Sequence, residues 1–107
     1  MTSELLGLGL LDKADVQNQS DEKPAYKKYF MHGTSHHMGL DTHDYGLLEE
    51  PMVENMIFTV EPGIYLPDEG FGVRLEDDVL IQSRGEPINL MNDIPIEIEE
   101  IEDIMNR

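Results

Sequence analysis

The sequence predicts an α+β fold, mainly antiparallel, on three observations. Met56–Glu61 is an apolar, β-branched run broken by Pro62 and Gly63. Gly72–Ile81 is a second such run, and Pro67-Asp68-Glu69-Gly70 between them carries the chemistry of a type I turn with glycine at its last position. Near the end, Ile94, Ile98, Ile101 and Met105 recur at helical spacing. A hairpin flanked by short helices follows. The 107 residues allow a single domain.

In chain order, Leu5, Leu6, Leu8, Leu10 and Leu11 form a dense apolar patch interrupted by Gly7 and Gly9, which reads as the tail of a helix. Residues 12–23 are polar and aperiodic, the composition of a loop. Pro24 suits the first turn of a short helix, P-A-Y-K-K-Y-F, with Tyr26, Tyr29 and Phe30 on its apolar side. That helix leads into His32. E-E-P-M-V-E-N-M, residues 49–56, precedes the first strand rather than forming a helix. Pro87-Ile88-Asn89-Leu90 suits a short edge strand, and a helix is expected over residues 93–106, with Pro95 in its first turn. Its Glu97, Glu99, Glu100, Glu102 and Asp103 make a solvated face.

Composition excludes several functions. The formal charge of −16 disfavours nucleic acid and anionic lipid alike. With no cysteine, disulfides and thiolate metal sites are ruled out, so any metal must use oxygen and imidazole ligands. Absence of cysteine is compatible with a cytoplasmic location, the one expected here. The opening M-T-S-E-L-L lacks a basic region, so no signal peptide is expected, and no apolar run approaches the ~18 residues of a membrane span.

The chemistry gathers in His32–Asp44, H-G-T-S-H-H-M-G-L-D-T-H-D, which holds all four histidines. Its glycines, serine and threonines are poor helix formers, so an extended chain is expected. Even spacing then puts His32 and His36 on one face and His37 on the other. Gly39 can bend the chain and bring His43 back toward the first pair. The hairpin adds carboxylates: a turn centred between Asp68 and Glu69 sets Glu61 directly opposite Glu76. Like charges so placed are destabilising and call for a cation or a proton between them. One imidazole from His36 and carboxylates from Glu61 and Glu76 suit divalent Mn, Co, Fe or Zn better than Ca. His32 and His43 need not be ligands and could donate hydrogen bonds to an oxyanion or a substrate carboxylate.

H-G-T-S-H-x-x-G-L-D-T-H-D, then T-V-E-P-G-I-Y, then G-V-R-L-E-D-D, resembles the C-terminal part of the Xaa-Pro aminopeptidases (aminopeptidase P), pita-bread metallopeptidases related to prolidases and methionine aminopeptidases. The resemblance runs over nearly the whole chain. It implies a single partial domain over residues 1–107: the C-terminal half of a pita-bread fold, a mostly antiparallel curved sheet with flanking helices. It implies His36, Glu61 and Glu76 as metal ligands, with Glu76 bridging two ions and Glu61 also a general base. His32 and His43 match histidines that bind substrate and stabilise the tetrahedral intermediate, and Arg74 matches an arginine beside the site. The cofactor implied is a divalent metal, two Mn, with Zn or Co as alternatives. The partner implied is a peptide with proline second. His37 departs from the pattern, where a bulky residue is common. Two aspartate ligands and a further histidine, upstream in the family, have no match, since Asp12, Asp15 and Asp21 sit in the polar stretch. The chain alone is therefore expected to be catalytically inactive, and its uncovered apolar surface invites homo-oligomerisation or pairing with the missing N-terminal half. The alternatives are a prolidase that splits only dipeptides, and a non-catalytic fragment or binding module. Ser35 favours aminopeptidase P, where prolidases more often carry glycine.

Overall fold

The computed structural model describes residues 1–47 and 49–107. Its elements run α1 (Thr2–Gly7), α2 (Lys13–Gln17), a 3-10 turn (Ala25–Lys28), β1 (Ile57–Val60), β2 (Gly63–Leu66), β3 (Phe71–Arg74), β4 (Asp77–Leu80), β5 (Ile88–Asn89) and α3 (Ile98–Met105). The class is α+β, with antiparallel sheets and few helices. Where the sequence reads as one partial domain, the chain divides into two compact units: residues 1–32 with 63–74, and residues 33–62 with 75–107.

The first unit is built around α1 and the hairpin β2–β3. Leu5 is fully buried, and Leu11 and Phe30 nearly so. The glycines after α1 end it: Leu8 caps the helix, and Gly9 adopts φ 73°, a left-handed conformation. Gly9 N–H then bonds Leu6 O at 3.1 Å and Leu10 N–H bonds Leu5 O at 3.0 Å. That pair of bonds satisfies carbonyls a helix end leaves open, and it tucks Leu10 toward Leu5. The 3-10 turn is capped by Pro24 and places Phe30 inside. Tyr65 N–H on β2 bonds Tyr29 O at 2.8 Å, tying the turn to the hairpin. The hairpin closes as its turn residues dictate, with Gly70 N–H on Pro67 O at 3.2 Å and Gly70 at φ 74°.

The second unit carries the sheet β1-β4-β5. β1 and β4 pair Ile57 with Leu80, Phe58 with Val79, Thr59 with Asp78 and Val60 with Asp77. Beyond the ladder, Leu75 N–H bonds Pro62 O at 3.2 Å. Glu61 and Glu76 fall between these fixed points, so they face each other in the register expected from the turn. Residues 34–38 lie along the other side of β1, antiparallel: Glu61 N–H bonds Thr34 O at 2.8 Å, Thr59 N–H bonds His36 O at 3.0 Å, and Met38 N–H bonds Ile57 O at 3.1 Å. Among the described residues of this unit, Phe58 and Thr59 are buried.

Three expectations need correction. Residues 12–23 are not all loop: α2 forms at 13–17, because the Asp12 carboxylate accepts from Asp15 N–H and the Asp15 carboxylate from Asp12 N–H, a reciprocal cap. The C-terminal helix does not begin at Asp93. Pro95 pushes residue 94 out of the helical region, Glu97 is still extended at ψ 140°, and α3 starts at Ile98. The run Gly72–Ile81 is two strands, parted at Leu75–Glu76. The uncovered apolar surface expected from the sequence is present: Val73 is 60% exposed, Leu75 52%, Ile98 70% and Met105 78%. Among the described residues, no helix is long and apolar enough to cross a membrane.

Candidate metal centre

His36, Glu61 and Glu76 come together in the second unit, each offering a ligand atom within 4.8 Å of the others. Secondary structure places them. His36 lies opposite Thr59 on the strand-like stretch beside β1, Glu61 follows β1 by one residue, and Glu76 precedes β4 by one. Side-chain alternation points His36, Thr59 and Glu61 to one face. His36 Nε2 is 3.2 Å from Glu61 Oε1, with side chains only 20% and 12% exposed. Glu76 is exposed.

The tautomer of His36 follows from its other nitrogen. Nδ1 sits 2.9 Å from the carbonyl oxygen of His37. A carbonyl only accepts, so Nδ1 carries the proton and Nε2 presents its lone pair to the Glu61 carboxylate. Two electron-rich atoms at that distance require a cation or a second proton between them. The donor set is therefore what a divalent ion of the Mn or Zn type takes, and the second carboxylate lies within reach of the same point.

The bend that follows recruits His43. The His37 carbonyl also accepts Asp44 N–H at 3.0 Å, while the Asp44 carboxylate accepts Leu40 N–H at 2.9 Å and Tyr45 N–H at 2.8 Å. Asp44 thus folds residues 39–44 into a closed loop, and a side chain at Gly39 would overlap its carboxylate. The result sets the His43 ring 4.2 Å from that of His36, tilted by 31°. His37 faces the other way. It bridges to Phe58, stacks on that ring at 4.3 Å, and packs so tightly on Gly46 that a Cβ there would overlap its imidazole.

His32 and Arg74 belong to the first unit. His32 is held between aromatic rings, Phe30 at 4.7 Å and Tyr65 at 5.4 Å, and its Nε2 is 2.7 Å from Tyr65 Oη. Arg74 is exposed at the end of β3, opposite Gly63. Two residues were missed in sequence. Tyr65 closes the T-V-E-P-G-I-Y motif, four residues after Glu61, yet nothing local marks it as a histidine partner. Thr59 looks like an ordinary strand residue. It is only 1% exposed, accepts His36 N–H at 3.1 Å and donates to Glu61 Oε1 at 3.3 Å.

Comparison with known proteins bears on the family and the fold. Residues 9–83 match the model of metallopeptidase family M24. An Xaa-Pro aminopeptidase from Haemophilus influenzae is 40% identical over 98% of this chain, and the chain covers 26% of it. The Escherichia coli Xaa-Pro aminopeptidase is 39% identical over the same share. The solved structure of a histidine-to-alanine variant of Escherichia coli aminopeptidase P superposes with a TM-score of 0.77 at 37% identity, over 99% of this chain and 26% of that one. The pita-bread fold of aminopeptidase P is therefore the fold to which these α and β elements belong. The chain spans about a quarter of the length of the curated relatives it matches. A family-model match over most of the chain, a relative at 40% identity and a shared fold converge on one conclusion: the chain belongs to metallopeptidase family M24.

Proposed function

We propose that this chain forms one wall of an aminopeptidase centre that releases the N-terminal residue from peptides with proline second. The convergence of His36, Glu61 and Glu76 within 4.8 Å carries this reading. Proline lacks an amide N–H and stiffens the chain, so such peptides need a dedicated site. His36, Glu61 and Glu76 hold divalent metal, two Mn ions in the complete enzyme. Metal held there supplies Lewis acidity, which makes water nucleophilic at neutral pH and polarises a peptide carbonyl. Glu61 takes the proton of the attacking water. His43 donates to the oxygen that gains charge as the carbonyl carbon becomes tetrahedral, and His32 binds substrate. Arg74 is assigned to the complete enzyme's site on the family resemblance alone. The C–N bond to proline then breaks, and its nitrogen takes up the proton that Glu61 received from the water.

Three ligands hold one ion weakly and a second hardly at all, so the two further aspartate ligands come from outside this chain. The exposed apolar side chains of β3, Leu75 and α3 support a surface that further polypeptide covers. Two measurements test the reading. Co2+ titration of the purified chain gives a saturable absorption band, lost in Glu61→Gln; no such band refutes the metal centre. Incubation with an Xaa-Pro peptide and Mn2+ releases no N-terminal residue; metal-dependent release refutes the divided site.

A further inference from the structure

We propose that Thr59 is the positioning residue of the metal centre, fixing His36 and Glu61 to each other through one hydroxyl. The inference rests on the metal reading above. In an antiparallel ladder, residues opposed as His36 and Thr59 are exchange both main-chain bonds. Here Thr59 N–H makes its bond to His36 O at 3.0 Å, but His36 N–H goes to Thr59 Oγ1 at 3.1 Å. A bond that sheet backbone ordinarily makes with backbone is thus given to a side chain. The same oxygen donates its proton to Glu61 Oε1 at 3.3 Å. That carboxylate atom lies 3.2 Å from His36 Nε2.

One hydroxyl therefore touches both the backbone of one ligand and the carboxylate of the other. It is inside, at 1% exposure, where a polar group is costly unless every function is used. Threonine uses its single proton on Glu61 and a lone pair on His36. Its branched Cβ also restricts χ1, so the hydroxyl holds one direction. Valine has the same shape and burial but neither function; serine has both functions without the methyl.

The test measures Co2+ affinity of the full chain by its visible absorption, below the melting temperature of each variant. Outer contacts of this kind typically change metal affinity by about 10–100-fold. Thr59→Val is expected to weaken the Co2+ Kd by that factor, and Thr59→Ser to stay within about threefold of the parent. A residue that only packs the strand would move the melting temperature and leave the Kd alone. If Thr59→Val does not fold, Thr59→Ala set against Thr59→Ser isolates the same oxygen. A Kd unchanged in the variants lacking the hydroxyl overturns the proposal, as does a serine variant as weak as they are. A parent chain with no saturable Co2+ band overturns the metal reading itself, and the two failures are thereby told apart.

Discussion

Gly46→Ala should destabilise the second unit through His37, a residue far from glycine in character but pressed against it. The imidazole of His37 is held between the backbone at Gly46 and the ring of Phe58, 4.3 Å away. An added methyl overlaps the imidazole, so the ring must leave its place. Forced overpacking costs about 1–3 kcal/mol, and the displaced ring contact about 0.5–1.5 kcal/mol. Together they span about 1.5–4.5 kcal/mol, a fall in Tm on the order of 10–20 °C for a chain of this size. The decisive assay is a double-mutant cycle by thermal and urea unfolding. His37→Ala alone loses the ring contact; once it is gone, Gly46→Ala has nothing to strike and should cost less than about 0.5 kcal/mol. The coupling between the two is then about 1 kcal/mol or more. Additive losses would show that the glycine serves something other than the histidine. The cycle also reports on the metal centre. On the reading above, His37→Ala leaves Co2+ affinity unchanged, and a variant that no longer binds Co2+ would make His37 a ligand.

Divalent metal should stabilise the chain: at about 100 times its Kd an ion contributes about 2.7 kcal/mol, seen as a rise in Tm that chelator reverses and that His36→Ala abolishes. Gly7→Ala and Gly9→Ala should act in opposite directions, although only Leu8 separates them. Gly7 closes α1 with open space around it, so alanine there gains about 0.5–1 kcal/mol of helix stability. Gly9 sits at φ 73°, where a side chain costs about 1–2 kcal/mol, and helical circular dichroism should fall with the Tm. Asp44→Ala removes the acceptor of Leu40 and Tyr45 N–H; amide exchange at both should quicken, and the His43 ring should lose its nuclear Overhauser contacts with His36. Asp44→Asn keeps one acceptor oxygen of the two, so it should preserve protection at only one of these amides.

The parts of the fold that could be read in advance are those set by neighbours in sequence. Gly70 and Pro67 define a turn, the turn defines a register, and the register alone sets Glu61 opposite Glu76. The parts that could not are set by what lies across the chain. Asp12 and Asp15 cap each other, but with aspartate where glutamate or glutamine is usual, the pair carries little signal in a polar stretch. Ile98, Ile101 and Met105 keep helical spacing whether or not anything covers them, so periodicity announced α3 without telling that its apolar side stands in solvent. Val73 is the same case in a strand, as is Leu75 just beyond its end.

The candidate centre divides along the same line. His36, Glu61 and Glu76 are chemically conspicuous, and alternation along one strand plus the register of another suffices to bring them together. Thr59 is not conspicuous, because a threonine in a strand is expected on propensity alone and its importance lies in where one proton goes. Tyr65 resembles it: the phenol is one strand aromatic among several until its Oη is found 2.7 Å from His32. Residue type announces the groups that bind or transfer charge. The groups that aim them are ordinary residues in particular places, and only the backbone path from His36 to β1 reveals that Thr59 is one of them.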